Sequence, residues 1–286
     1  MDDPARRRTL TPDADASLIP NGLDATLVLV RHGESTFIAE GRFQGHADSP
    51  LTAIGRRQAT LVADRLAAPQ ASPAVPVPAG PLLELVHSPL GRATQTAEAI
   101  ETAMRAAGWP MSRRPDDGFM EIGQGDWQGL HRDEVSARYA AGLAAWRQTP
   151  MTAWAPGGES LPEVEARVRP ALATVLARLG DGRPAGSLDR SQVTGYGEPA
   201  AVHPWSIVVG HDGVFKVALL TLFGLPLERF WMWSMDLCAI SVVEFRAGRA
   251  VLRAHNLTAH LAPLDDGDTS AVRAAAAAER ERSGAQ

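Results

Sequence analysis

The chain has 286 residues, a net charge of −5 and 45% apolar residues, the profile of a globular protein with room for one large domain or two small ones. Acidic and basic residues are mixed along its length, which argues against the basic face a nucleic-acid binder needs but leaves room for a small anion site built from a few local cations. The single cysteine, Cys238, rules out an internal disulfide and reads as a buried small hydrophobe. No run reaches the ~18 apolar residues of a membrane span, and residues 1–8 lack the apolar core of a signal peptide. A cytoplasmic protein without a membrane partner is expected.

Residues 1–24 are polar and rich in Pro and Asp, and read as a flexible arm. Residues 25–262 read as one domain. It opens on Leu27-Val28-Leu29-Val30, a strand buried on both faces, which runs into Arg31-His32-Gly33-Glu34. A helical period follows over 51–67, with Thr52 as N-cap and Ile54, Ala59, Val62, Ala63 and Leu66 as its stripe. Residues 68–81 read as an exposed connection, 82–87 as a second strand and 89–107 as a second helix. A glycine-rich loop over 119–130 carries Glu121. Residues 132–148 read as one helix with Val135, Tyr139, Leu143 and Trp146 in register, and Ser160 caps another that runs to about 179. A long Gly/Pro/Ser/Asp insertion occupies 180–204. The third strand, 206–210, leads into a helix over 214–223, and a hairpin at 240–245 and 250–254 turns across 246–249. Residues 263–286 form a polar tail with an Ala/Glu/Arg helix candidate at 270–282. This alternation predicts an α/β fold, a three-layer α/β/α sandwich on a mostly parallel sheet, with the hairpin as an antiparallel edge.

The chemistry gathers at the C-terminal ends of the apolar strands, where open α/β sheets bind ligands. Neutral imidazole can attack phosphorus near pH 7 without a base to activate it, which makes His32 the candidate nucleophile. Arg31 and Arg92 are the candidate phosphate clamp, since guanidinium holds phosphate bidentately and two of them can neutralise a phosphoryl transition state. His211 repeats the arrangement of His32, an apolar strand followed by His near Gly, and can hold a phosphoryl oxygen. Glu121, flanked by Met120 and Ile122, should have a raised pKa and can protonate a leaving oxygen; Asp126 is its rival. Arg42 and Gln44 are read as contacts to a polar leaving group, and Ser35 is counted with them as substrate-binding. Trp127, Phe43 and Phe37 are each either core or an apolar mouth. No His, Cys or carboxylate set has metal spacing, so neither a metal nor another cofactor is expected. The Phe230-Trp231-Met232-Trp233 cluster fits either a core or a homodimer interface.

From about residue 26 to 255 these residues resemble the histidine phosphatase superfamily, in its phosphoglycerate mutase-like branch. The opening pattern is Arg31-His32-Gly33-Glu34-Ser35 with Arg42-Phe43-Gln44-Gly45, Asp48-Ser49-Pro50-Leu51-Thr52 and Gly55. Further blocks are Ser88-Pro89-Leu90 with Arg92-Ala93 and Gln95-Thr96-Ala97, then Glu121-Ile122 with Gly125-Asp126-Trp127-Gln128-Gly129. Gly157-Gly158-Glu159-Ser160 and Val208-Val209-Gly210-His211-Asp212-Gly213 complete the series. The resemblance implies an α/β/α fold, a phosphohistidine on His32, Glu121 as acid and then base, and Arg31, Arg92 and His211 around the phosphoryl group. It also implies no metal. The residues after Glu121 resemble the phosphatase branch more than the mutases. A phosphatase acting on a small phosphorylated metabolite is therefore expected ahead of a mutase, or of a weakly active binding module of the same fold. Two positions depart from the pattern. Ile38 stands where many members carry a phosphate-contacting asparagine, and Asp212 replaces a common glycine, an unfavourable charge beside an anion unless it points away.

Overall fold

The apolar run that leads into Arg31 forms β1 (Ala25–Arg31), buried at every position and central in a six-stranded sheet. This is a computed structural model, and it describes residues 17–182 and 202–264. The other strands are β2 (Leu82–His87), β3 (Ser112–Pro115), β4 (Trp205–Gly210), β5 (Ile240–Arg246) and β6 (Arg249–Leu257), in the order β3-β2-β4-β1-β5-β6. β3, β2, β4 and β1 run parallel, and β5 and β6 close the far edge antiparallel.

Successive side chains of a strand face opposite ways, so β1 feeds two cores. Leu27 and Leu29 pack on one face with Val208 of β4 and with Val164, Val168 and Leu172 of a long helix, α6 (Leu161–Asp181). Val28 and Val30 pack on the other face with Val62 and Leu66 of α2 (Ala53–Ala67) and with Ala97, Ile100 and Met104 of α3 (Gly91–Ala106). Helices on both faces of a mostly parallel sheet make the three layers. A short α1 (Thr36–Ala39), α4 (Arg132–Arg138), α5 (Ala140–Gln148) and α7 (Asp212–Phe223) complete the helices used below. Thr52 caps α2 as expected, its hydroxyl accepting from Gly55 N–H at 2.9 Å. The hairpin turn uses Ala247 and Gly248, both at positive φ (48° and 79°), as a two-residue turn of twisted strands requires. Among the described residues no helix is long and apolar enough to cross a membrane.

Several expectations need correction. Residues 17–24 are not part of a loose arm: Leu23 is buried, Leu18 and Ile19 pack beside it, and Gly248 N–H donates to Leu23 O at 2.9 Å. The connection 68–81 is not wholly exposed, because Val75 and Val77 plug into the second core. The expected helix over 132–148 is two helices, broken at Tyr139 (φ −130°, ψ 27°), whose ring tilts onto Trp127. β3 escaped detection because Ser112-Arg113-Arg114-Pro115 has no apolar pattern; it is a short polar edge, with Arg114 bound to the buried Glu84 at 2.9 Å. Phe230 turns inward onto Trp146 and Trp231, whereas Met232 is exposed. The expectations for residues 1–16, for 183–201 within the insertion and for 265–286 of the tail lie outside the described residues.

α6 starts with a reciprocal cap: the Ser160 hydroxyl accepts from Glu163 N–H, and the Glu163 carboxylate accepts from Ser160 N–H at 2.8 Å. Ser160→Ala is expected to cost about 1 kcal/mol, read as a fall of roughly 2–4 °C in the thermal midpoint for a protein of this size.

Candidate active site

The parallel register of β1 and β4 pairs Arg31 with Gly210. The next residues, His32 and His211, therefore leave the sheet side by side, and His32 N–H donates to Gly210 O at 3.0 Å. Their rings meet edge to face with centroids 5.0 Å apart. Both are buried, as are Arg31 and Arg92. His32 Nδ1 lies 2.6 Å from Gly33 O. A carbonyl only accepts, so Nδ1 carries a proton, which in the neutral ring leaves the lone pair on Nε2. His211 Nε2 lies 2.8 Å from the Ser88 hydroxyl, at the end of β2. Burial pushes the His211 pKa well below its ordinary value, and Arg92, His32 and Arg31 push it the same way. His211 is thus neutral at neutral pH, with an imidazole and two guanidiniums close enough to act on it.

Loop carbonyls fix both guanidiniums. Arg31 Nη1 donates to Met235 O at 2.6 Å. Arg92, at the start of α3, donates to Gly45 O at 2.8 Å and Ala47 O at 3.1 Å. Thr96, one turn along α3, donates to Arg92 O and accepts from Gly33 N–H, which ties the Arg92 helix to the His32 loop.

Glu121 reaches the cluster from an irregular segment. Its carboxyl accepts from the backbone N–H of Ile122 (2.9 Å), Val214 (3.1 Å) and Gly213 (3.3 Å), the latter two in the first turn of α7, which His211 caps. Glycine at 213 is what permits this approach: a Cβ there would sit 2.6 Å from Glu121 Oε1. Loss of water raises the Glu121 pKa, and the Asp212 charge adds to the rise; the bond to Ile122 N–H and the two arginines oppose it. Glu121 lies on the wall of an open cavity with Gln44, Gly45, Ile122, Asp212 and Gly213, and Arg42 stands at the same wall. The two histidines are not on that wall; the cavity meets their cluster through Glu121 and the first turn of α7. The rival Asp126 is exposed in a short helical turn and is not among the cavity residues.

Other expected contacts separate. Gln44 and Arg42 border the cavity, Arg42 held by Glu40 at 2.8 Å and Gly129 O at 2.7 Å. Ser35 does not: it is fully buried, caps α1, and donates to Gln44 Oε1 at 2.6 Å. Its hydroxyl is engaged within the loop, on Gln44 and the first turn of α1. Trp127 is core, packed edge to face on Phe43, and only Phe43 of that pair borders the cavity. Ile38 is buried against Leu237, so its place is filled by an apolar contact. Burial pushes the Cys238 thiol far up, in keeping with an inert thiol.

The charge of Asp212 is matched by the chain's only lysine. Asp212 Oδ2 lies 2.7 Å from Lys216 Nζ, one turn along α7, and Asp212 Oδ1 accepts from Met235 N–H at 2.9 Å. The Lys216 ammonium also sits 5.3 Å from the Phe230 ring centre and 5.1 Å from that of Trp231. Sequence reading missed this partner, although a lone lysine four residues after an unusual aspartate is the spacing of a helical ion pair.

Comparison with known proteins shows the family. The family model for the histidine phosphatase superfamily (branch 1) matches residues 27–185 and 196–258. The chain belongs to that superfamily. It is 34% identical over 205 residues to the glucosyl-3-phosphoglycerate phosphatase of Mycolicibacterium vanbaalenii, covering 71% of this chain and 76% of that protein. It is 28% identical over 239 residues to phosphoserine phosphatase 1 of Hydrogenobacter thermophilus, covering 82% and 93%. Relatives named "Probable phosphoglycerate mutase GpmB" also match, at 30% identity in Proteus mirabilis. Among solved structures, the mycobacterial glucosyl-3-phosphoglycerate phosphatase in complex with VO3 superposes with a TM-score of 0.62 at 28% identity, covering 82% of this chain and 99% of that one.

Removing one partner of a buried ion pair costs about 3–5 kcal/mol, because the other charge is left uncompensated. Lys216→Met is expected to lower stability by that order in denaturant unfolding, and adding Asp212→Asn should recover much of the loss.

Proposed function

We propose that the chain is a metal-independent phosphomonoesterase that hydrolyses a small phosphorylated metabolite through a phosphohistidine on His32. Residues 25–262 form its catalytic domain, acting in the cytoplasm. The observation that carries this reading is the placement of His32: its ring is fixed by Gly33 O at 2.6 Å and faces a second imidazole, with Glu121 joined to the turn that His211 caps.

In the first step the Nε2 lone pair of His32 attacks phosphorus in line and the ester P–O bond breaks. The Glu121 carboxyl gives its proton to the departing oxygen. Arg31, Arg92 and a His211 N–H stabilise the equatorial oxygens, where charge is greatest. In the second step Glu121, now a carboxylate, takes a proton from water as the water attacks the phosphohistidine. The N–P bond breaks and inorganic phosphate leaves. Two guanidiniums supply the charge neutralisation that a metal provides elsewhere. The substrates in the names of the phosphatase relatives, a phosphoserine and a glucosyl-3-phosphoglycerate, are phosphate esters of small polar alcohols. A leaving group of that kind suits a cavity bordered by Gln44, Arg42 and the Asp212–Lys216 pair. The GpmB-named relatives make phosphoglycerate isomerisation the second reading, in which an alcohol takes the place of water.

His32→Ala is expected to abolish turnover of an aryl phosphate, and brief incubation of the wild type with a phosphate ester labelled in its phosphoryl group should yield acid-labile, base-stable phosphate on the protein. Retained turnover in the variant removes the nucleophile assignment. Phosphoglycerate isomerisation with a bisphosphate primer at a rate above hydrolysis would favour the mutase reading.

The pH dependence follows from the raised pKa of Glu121. Its protonated form is the acid and persists above the ordinary carboxylate range. The kcat/KM for an alkyl phosphate should therefore fall as pH rises through the raised value, and Glu121→Gln should lack that limb.

A further inference from the structure

The segment that bears Glu121 has little regular structure of its own. Residues 120–124 lie between two single-turn helices, outside any helix or strand. Main-chain carbonyls without secondary-structure partners have to find donors elsewhere. Here one side chain takes two of them, with a third from the preceding turn. Arg167 of α6 donates from Nη1 to Gly118 O (3.1 Å) and Met120 O (2.9 Å), and from Nη2 to Glu121 O (2.9 Å). Its Nε and Nη2 also grip both oxygens of Glu159, at 2.8 and 2.9 Å. Glu159 in turn accepts from Gly123 N–H at 2.7 Å, and its own N–H donates to Gly123 O at 2.9 Å.

A third residue joins them. His46 Nε2 lies 2.7 Å from Glu121 O and 3.4 Å from Glu159 Oε2. Its neighbours Gly45 and Ala47 are the residues whose carbonyls hold Arg92. The loop therefore fastens the guanidinium and the acid-bearing segment to each other. None of the three side chains borders the cavity.

We propose that Arg167, Glu159 and His46 are positioning residues that hold the main chain of residues 118–123 so that the Glu121 carboxyl stays aimed at the leaving oxygen. The proposal rests on the reading of Glu121 as the general acid. The charges are arranged to keep the frame closed. Burial works against the Glu159 carboxylate, yet its bonds to His46, Arg167 and Gly123 N–H hold it well below the usual carboxylate range, and the bond to Glu159 raises the His46 pKa. Arg167 is suited to the task because a planar guanidinium presents five N–H donors in a fixed fork, which lysine cannot reproduce.

The test uses leaving-group chemistry. A poor leaving alcohol needs the acid, whereas dinitrophenolate departs without a proton. His46→Leu and Arg167→Lys are expected to lower kcat/KM for an alkyl phosphate by about 10- to 100-fold, part of the ~10²–10⁴ range of general acid catalysis, while kcat/KM for dinitrophenyl phosphate stays within about threefold. His46→Gln, whose amide N–H can reach the same carbonyl, should restore most of the alkyl ester rate. Glu121→Gln, measured beside them, should show the same selectivity more strongly. An equal loss on both esters in His46→Leu and Arg167→Lys, with selective loss in Glu121→Gln, would overturn the positioning role and leave the acid standing. Equal loss on both esters in Glu121→Gln would overturn the acid assignment and this proposal with it. If His46→Leu does not fold, Arg167→Lys alone carries the comparison.

Discussion

The register between β1 and β4 is the constraint on which the site depends. Two parallel strands paired Arg31 to Gly210 deliver two imidazoles to one point, although 178 residues separate them in the chain. A slip of one residue would turn every side chain of β1 to the opposite face. The apolar residues on both faces prevent it: Leu27 and Leu29 are committed to one core, Val28 and Val30 to the other. The geometry of the candidate site is in this sense a by-product of core packing, and its precision is that of a buried strand rather than a loop.

Around that fixed pair, the other groups are held by backbone atoms. Arg31 and Arg92 are aimed by loop carbonyls, Glu121 by N–H groups at the start of α7, and the Glu121 segment by Arg167, Glu159 and His46. The backbone of Met235 serves both Arg31 and Asp212, its carbonyl accepting from the first and its N–H donating to the second. Buried charge is tolerated because it is matched locally. Asp212 would disturb an anion site were it not paired at 2.7 Å with Lys216, itself enclosed by Phe230 and Trp231.

Much of this was legible in the chain. Strands of continuous apolar residues ending in His, the Thr52 and Ser160 caps, and the hairpin at 246–249 each follow from local rules of burial, capping and turn geometry. What was not legible had no local signature. β3 is a polar edge held by Arg114 and Glu84, and the break at Tyr139 coincides with contact to a distant tryptophan. Ser35 is an instance of the same limit. Its place three residues after His32 suggests a substrate contact, and the hydrogen bonds of its hydroxyl to Gln44 and the first turn of α1 have no signature in the sequence.

The sequence by itself determined the class of fold, the chemistry available and the family, because apolar periodicity and the identity of reactive side chains are properties of the chain read in order. Only the tertiary structure decided that Glu121 rather than Asp126 stands at the cavity, and that Arg167, Glu159 and His46 meet beside Glu121. Those facts are distances between residues remote in the chain. They are set by how helices and loops pack on the sheet, where electrostatic and hydrogen-bond energies depend on separations that no linear pattern encodes.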